Sequence, residues 1–256
     1  MTQRPVHPRD GARQGTAPDL VILYGWHPVR EALLNPRRRL RRLLATENAL
    51  RRLQEDRGDL RIDPEIVRPA VIDRLLTADA IHQGLYLEAD PLPAPSFSEL
   101  GPGEIVLVLD QITDPHNVGA IIRSAAAFGV AAIITTERHS PTATGVLAKS
   151  ASGGLEHVPI IHVRNLGDAL DALGRDGVMR VGLDSEGPAV LEETPLRGPL
   201  ALVLGAEDKG LRQRTRSLCD ALARLDMPGA IKSLNVSNAA ALALYVARRS
   251  VSGDPR

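Results

Sequence analysis

Hydrophobic and polar positions alternate in two distinct ways along this chain, and each predicts a different kind of unit. From Leu20 a short apolar run, LVILYG, reads as a strand ending at Gly25. WHPVREALLN then places Val29, Ala32 and Leu33 at helical spacing. LRRLLAT predicts a strand over 40–46, and the polar-rich run after it a helix over 48–56. After Pro69 a helix would carry Val71, Ile72, Leu75 and Leu76, and Gly84 to Glu88 alternates like a closing strand. Beyond residue 103 the pattern changes to continuous apolar strands separated by helices. Strands are expected at 104–110, 131–135, 158–163, 178–183, 200–204 and 223–225, with helices at 118–128, 142–151, 166–173, 211–218 and 236–249. Near-continuous apolar strands alternating with helices predict a parallel sheet covered on both faces. The fold class is therefore α/β, with a small N-terminal α/β unit ahead of a larger domain.

Between the two patterned regions, residues 91–103 carry four of the chain's 19 prolines and no apolar period, which reads as a linker. Residues 1–19 are rich in Pro, Gly, Arg and Gln without periodicity and are expected to form a disordered tail. The expected organisation is a tail at 1–19, an N-terminal domain at 20–90, the linker, a second domain at 104–250 and a short tail at 251–256.

Composition narrows the partners. With 43% hydrophobic and 24% charged residues the chain is an ordinary globular protein, and 256 residues suffice to bury a substantial core. Aromatic residues make up only 2%, so base stacking is a poor candidate for the main grip on a nucleic acid. A formal net charge of zero gives no bulk attraction to a polyanion. Positive charge is nevertheless clustered, with Arg37, Arg38, Arg39, Arg41 and Arg42 together. That cluster reads either as a solvated face or as a set of phosphate contacts. The single cysteine, Cys219, excludes a disulfide framework and a multi-cysteine zinc site, and reads as a small buried residue. No apolar run approaches a membrane span and no signal-peptide pattern opens the chain, so a cytoplasmic protein is expected, with neither membrane nor metal as a partner.

In open α/β sheets ligands bind beyond the carboxyl ends of the strands, and three polar segments fall there. DQITDPHNVGAIIRS follows the first strand of the second domain; GAEDKG follows the strand at 200–204. LDMPGAIKSLNVSNAAALAL, from Leu225 to Leu244, reads as strand, tight loop and capped helix, the helix apolar on every side and so expected to be buried. Asn117 falls where a helix cap belongs. Arg123, set among Ile121, Ile122, Ala125 and Ala126, reads either as solvent-facing or as aimed at an anion, the second being favoured. His116 is a lone histidine without a visible carboxylate partner, and Glu207 lies between two glycines. No G-x-G-x-x-G, P-loop, nucleophile elbow or metal-spaced His/Cys cluster occurs. Read alone, these residues support an α/β domain with a polar site at its strand ends.

DPHNVGAIIRSAAAFGV, LVLGAEDKGL and LDMPGAIKSLNVSNAAALALY resemble, in order and spacing, the three signature motifs of the SpoU–TrmH class of SPOUT RNA methyltransferases. YGWHPVREAL and IHQGLYLEA resemble the edges of that family's small RNA-binding domain. The layout is most similar to bacterial members that 2′-O-methylate a guanosine in the peptidyl-transferase region of 23S ribosomal RNA; relatives acting on tRNA, and an idle RNA-binding or assembly factor with the same fold, are the alternatives.

The resemblance implies a C-terminal trefoil-knotted parallel sheet, S-adenosylmethionine as cofactor and a homodimer packed through the last helix. By motif position it implies Asn117, Arg123, Glu207, Ser233 and Asn235 as catalytic residues, and Gly205, Leu225 and Leu234 as cofactor contacts. In its roles, Asn117, Ser233 and Asn235 orient Arg123, the target ribose and the methionine portion, while Glu207 fixes the loop or the arginine. Pro28, Trp26 and Asn238 depart from the usual motif residues without touching that set.

Overall fold

The computed structural model describes residues 20–78, 80–137, 145–207 and 209–251. The tail expected at 1–19 lies outside the described residues, as does all but Val251 of the one expected at 251–256. Val251 itself closes the last helix.

The N-terminal unit contains β1 (Val21–Tyr24), α1 (Trp26–Leu34), β2 (Leu40–Ala45), α2 (Glu47–Arg57), β3 (Pro64–Ile66), α3 (Pro69–Asp73) and β4 (Leu85–Ala89). Its sheet runs β1-β4-β2-β3, with β4 antiparallel to both β1 and β2. Local chemistry explains the better-formed helices. Thr46 caps α2 by accepting the Ala49 amide, with Glu47 in the first turn and Arg57 in the last, a charge placement that suits the helix dipole. The pattern overstated α3, which spans five residues and buries only Ile72, while Val71 and Leu75 stay exposed. It missed β3 altogether. A three-residue strand that opens on Pro64 at the sheet's edge is too short to show alternation.

The second unit contains β5 (Ile105–Asp110), α4 (Pro115–Ala127), β6 (Ala132–Thr136), α5 (Gly145–Ala151), β7 (Ile160–Val163), α6 (Leu166–Arg175), β8 (Met179–Leu183), β9 (Ala189–Val190), β10 (Leu200–Gly205), α7 (Gln213–Ser217), β11 (Ala221–Arg224) and α8 (Val236–Val251). The strands form one sheet, ordered β7-β6-β5-β10-β8-β11-β9, and every pairing in it is parallel. As expected, both faces are covered. Along β5 and β10, Ile105, Leu107, Leu109, Leu200, Leu202 and Leu204 face the core shared with α4, α5 and α8. Val106, Val108, Ala201 and Val203 face the opposite core, built on α6. That alternation is invisible in an all-apolar strand until its neighbours are known.

The two units are packed as one body. The larger core runs without a break from Leu23, Val29 and Leu33 to Ile122, Leu147 and Leu155. At the seam, Arg38 is buried and makes a two-pronged pair with Glu156: Nε donates to Oε2 at 2.9 Å and a terminal nitrogen to Oε1 at 2.7 Å. Arg38 also donates to the backbone carbonyls of Asp90 and Leu155, and Asn35 Nδ2 donates to the Glu156 carboxylate. The arginine cluster is thus neither of its two expected forms throughout. Arg41 grips Asp90 through two bonds of 2.6 Å, and Arg42 grips Glu65 at 2.8 and 2.9 Å. Arg39, 73% exposed and 3.8 Å from Asp90, and Arg37, exposed with one long bond to the Pro93 carbonyl, remain on an open face in the manner of phosphate contacts.

Cys219 is half-buried rather than fully buried as expected. Its thiol donates to the Thr215 carbonyl at 3.2 Å, and burial pushes its pKa up to about 12. No helix is long and apolar enough to cross a membrane, and among the described residues no group of His, Cys, Asp and Glu could hold a metal ion.

Candidate active site

The three motif segments meet at the carboxyl ends of the central strands, and a single carboxylate ties them together. Glu207 Oε1 accepts from Asn117 Nδ2 at 3.0 Å, from Asn235 Nδ2 at 2.8 Å and from the Val236 amide at 3.0 Å. Asn235 Nδ2 also donates to Asn117 Oδ1 at 2.9 Å, closing the ring of contacts. Each bond to the carboxylate is charge-assisted. The Val236 amide is one of the free donors of the first turn of α8, where a negative charge is favoured. Asn235 performs the capping expected of it as well, accepting the Ser237 amide at 2.9 Å through Oδ1.

Asn117 is not a cap. That role falls to Asp114, whose side chain accepts the His116 amide, with Pro115 as the first helical residue. α4 therefore starts three residues earlier than its apolar spacing suggests, because proline at the first helical position costs no hydrogen bond. The shift frees the Asn117 amide to face Glu207.

Behind this network lies an open cleft of about 160 Å³. Leu183, Leu204, Leu225 and Leu234 give it apolar walls, and Asp184, Glu207 and Ser233 contribute polar groups. Its walls are pinned from outside. Asp184 pairs with Arg216 at 2.5 Å and accepts the Glu186 amide, and Lys232 donates to the Met227 carbonyl across the loop. Below the cleft the buried Asp110, at the end of β5, holds Arg212 through its backbone amide and its guanidinium. A lone acid closing an otherwise apolar strand is a signal the sequence reading passed over.

All three expected cofactor contacts line this cleft: Gly205, Leu225 and Leu234. Gly205 is demanded by packing. A Cβ there would lie 2.2 Å from the carbonyl carbon of Gly210 and 2.4 Å from the Leu211 nitrogen, both of them backbone atoms. The loop 205–210 folds back on itself through an Ala206–Gly210 bridge, leaving no room for a side chain. Gly205→Ala is expected to open this turn and abolish ligand binding in the cleft. Calorimetric titration with S-adenosylmethionine would register the loss, and an affinity within two-fold of wild type would refute it.

Arg123 sits elsewhere. Six residues after Asn117 on α4, it is turned about 120° around the helix from it at 3.6 residues per turn. Its side chain lines a second cleft with Tyr24, Ile81, His116, Lys149, Ser150 and Ser152. Asn117, Glu207 and Asn235 are thus brought together, with Ser233 on the cleft wall, while the expected orienting contacts to Arg123 are absent among the described residues of one chain. The last helix departs from expectation too. Leu242 and Tyr245 on α8 are 49% and 51% exposed, so the helix is not buried all round.

Comparison with known proteins gives a consistent picture. A family model described as the SpoU rRNA Methylase family matches residues 104–245, and one described as RNA 2'-O ribose methyltransferase substrate binding matches residues 22–95. The chain is 36% identical over 244 residues to the 23S rRNA (guanosine-2'-O-)-methyltransferase RlmB of Pectobacterium atrosepticum, covering 91% of this chain and 99% of that one. It is 34% identical over 241 residues to the protein of the same name from Pseudomonas putida, covering 90% and 96%. Among solved structures it is similar to the SpoU methyltransferase AviRb from Streptomyces viridochromogenes, with TM-score 0.76, 25% identity and coverage of 92% and 91%. The same enzyme in complex with the cofactor AdoMet matches with TM-score 0.77.

Proposed function

The chain belongs to the SpoU rRNA methylase family, and from that premise we propose that it transfers the methyl group of S-adenosylmethionine to the ribose 2′-hydroxyl of a guanosine in 23S ribosomal RNA. The observation that carries the reading is the convergence of three separate segments on the Glu207 carboxylate, at the lip of a cleft beyond the strand ends. A location in the cytoplasm, where ribosomal RNA is assembled, is part of the same reading.

The residues lining the cleft fit the cofactor. The side-chain-free surface at Gly205 allows backbone groups to approach an adenosine closely, and Leu225 and Leu234 offer apolar contact to its base. When bound, S-adenosylmethionine supplies a methyl on a sulfonium, a good electrophile. What remains for the protein is to activate a hydroxyl of high pKa and align it for in-line attack. A guanidinium offers donors and no acceptor, so Arg123 does not act as a base. It holds the phosphate beside the target ribose and stabilises the developing alkoxide, with the proton leaving through that phosphate. Ser233 and Asn235 orient the ribose and the methionine portion. Asn117 and Glu207 hold the loop carrying them in place.

Arg123 and the cofactor cleft are separate within one chain, so the reading includes a homodimer. The exposed Leu242 and Tyr245 of α8 are the face that would be covered. Apposition there would set Arg123 of one protomer against the cleft of its partner. The trefoil knot belongs to this reading as well. It is supported by the position of β10, inserted between β5 and β8 although both precede it in the chain.

Complementation separates the two arrangements. Mixed after dissociation, inactive Arg123→Ala and inactive Asn235→Ala chains are expected to regain about a quarter of wild-type activity, because random pairing leaves half the molecules as mixed dimers with one intact composite site each. No recovery would place arginine and cleft in the same chain. The reaction itself is tested by mapping ribose methylation in ribosomal RNA and tRNA from cells with and without the protein. Loss of one guanosine mark in 23S ribosomal RNA is expected; loss of a tRNA mark alone would overturn the assignment.

A further inference from the structure

The second cleft is built from both domains, and its chemistry is divided between them. On α4, His116, Gly119 and Arg123 are spaced three and four residues apart, which puts them on one face of the helix. That face meets α5 at very short range. A Cβ on Gly119 would lie 2.4 Å from Ser150 Cβ and 2.9 Å from the Leu147 carbonyl oxygen, so only glycine admits the approach. The contact carries Lys149, Ser150 and Ser152 alongside His116 and Arg123, with His116 Nδ1 3.4 Å from Ser150 Oγ. The opposite wall comes from the N-terminal domain: Tyr24, at the end of β1, and Ile81, which is 62% exposed.

Among the described residues, no carboxylate lines this cleft. Elsewhere the chain pairs its cations closely with acids, as at Arg30, Arg38, Arg41, Arg42, Arg180 and Arg212. Arg123 and Lys149 have no ion pair or side-chain hydrogen bond among the described residues. With 31 basic and 31 acidic residues in the chain, a concave site whose described lining carries two unpaired cations, an imidazole and the hydroxyls of Tyr24, Ser150 and Ser152 is made for an anion. One anion does not fill it. The N-terminal domain contributes the strongly exposed Ile81, which has no role in the core, beside the ring of Tyr24. An occupant with phosphates along one edge and a flat apolar surface along the other matches both walls, and a strand of RNA with its bases unstacked has that form.

We propose that the cleft between the two domains holds the RNA strand next to the methylated nucleotide, with Lys149 as a phosphate contact and Ile81 as the surface against which a base lies. The proposal rests on the ribose-methylation reading for the identity of the strand. It gives the docked N-terminal domain a direct part in substrate binding that the arginine cluster, largely tied up in ion pairs, does not supply. It also assigns a role to one of the chain's few lysines, a compact charge suited to a phosphate on a mobile strand.

The test uses full-length protein and a fluorescein-labelled transcript of the peptidyl-transferase region of 23S ribosomal RNA, titrated from 50 to 200 mM salt. Lys149→Ala is expected to weaken binding by about five- to ten-fold at the lowest salt and to make the slope of log affinity against log salt shallower by roughly 0.7–0.9, the release of one phosphate's counterion. Lys149→Arg should restore that slope. Ile81→Glu, an exposed change on the other domain, should weaken binding by a similar factor through repulsion of the backbone. Both side chains are at the surface, and circular dichroism checks that the fold is retained.

A wild-type slope for Lys149→Ala, or wild-type affinity for Ile81→Glu, overturns the proposal. The two readings fail separately. If wild-type protein methylates no ribose yet Lys149→Ala still loses its slope, the reaction assignment falls and the cleft assignment stands. If methylation proceeds and the slope is unchanged, only the cleft assignment falls.

Discussion

Arg123→Ala is expected to abolish ribose methylation while leaving the affinity for S-adenosylmethionine within a few-fold of wild type. The separation of the two effects follows from geometry. Arg123 lines the interdomain cleft, whereas the residues expected to hold the cofactor line the cleft behind Glu207. Loss of a single well-placed charge that stabilises a developing oxyanion costs on the order of 10²–10³ in rate. Here the same side chain also positions the phosphate, so the two losses combine and activity falls below detection. Single-turnover methylation of the ribosomal RNA transcript, run beside calorimetric cofactor binding, checks both halves. Full single-turnover activity would remove Arg123 from the mechanism. A parallel collapse of cofactor affinity would show that it acts by shaping the cofactor cleft instead.

The second large effect concerns the seam between the domains. Glu156→Ala would leave the Arg38 guanidinium buried without its counter-charge, since both side chains of the pair are only 2% exposed. Breaking one half of a buried pair costs about 3–5 kcal/mol, most of it the penalty of an uncompensated charge. Urea unfolding, followed by far-ultraviolet circular dichroism and by the fluorescence of Trp26, the only tryptophan, should show a correspondingly lower midpoint. Trp26 reports from α1 of the N-terminal domain, where the Arg52 guanidinium stacks at 3.8 Å from its ring centroid. Because the core is continuous across the seam, fluorescence and circular dichroism should move together. Arg38→Met combined with Glu156→Leu should recover much of the loss, since an apolar pair of similar volume avoids the buried charge altogether. An unchanged midpoint for Glu156→Ala would mean that the apolar core alone holds the domains together.

In the arginine cluster, expectation and structure part company because a side chain's partner lies far away along the chain. Arg38 and Arg39 are neighbours in one basic run, yet one is buried against Glu156 and the other stands in solvent. Asn117 has the composition of a cap and the position of a ligand to Glu207, and only the start of α4 at Pro115 decides between them. The Ala/Leu run of α8 is apolar on every side, but the core of one chain is wide enough to cover only Val236, Ala240, Ala243, Leu244 and Ala247. Leu242 and Tyr245 are left exposed.

The sequence by itself determined the α/β class, the parallel sheet and the three segments at its strand ends. These follow from local hydrophobic periodicity, from capping residues and from motifs contiguous in the chain, all of which a linear reading can detect. Only the tertiary structure decided that Glu207 draws Asn117 and Asn235 together, that Arg38 locks the domains, and that Arg123 faces a different cleft from the motif residue six places before it. Those outcomes depend on helix phase and on contacts between residues from 28 to 118 positions apart, distances at which periodicity carries no information and packing alone chooses the partner.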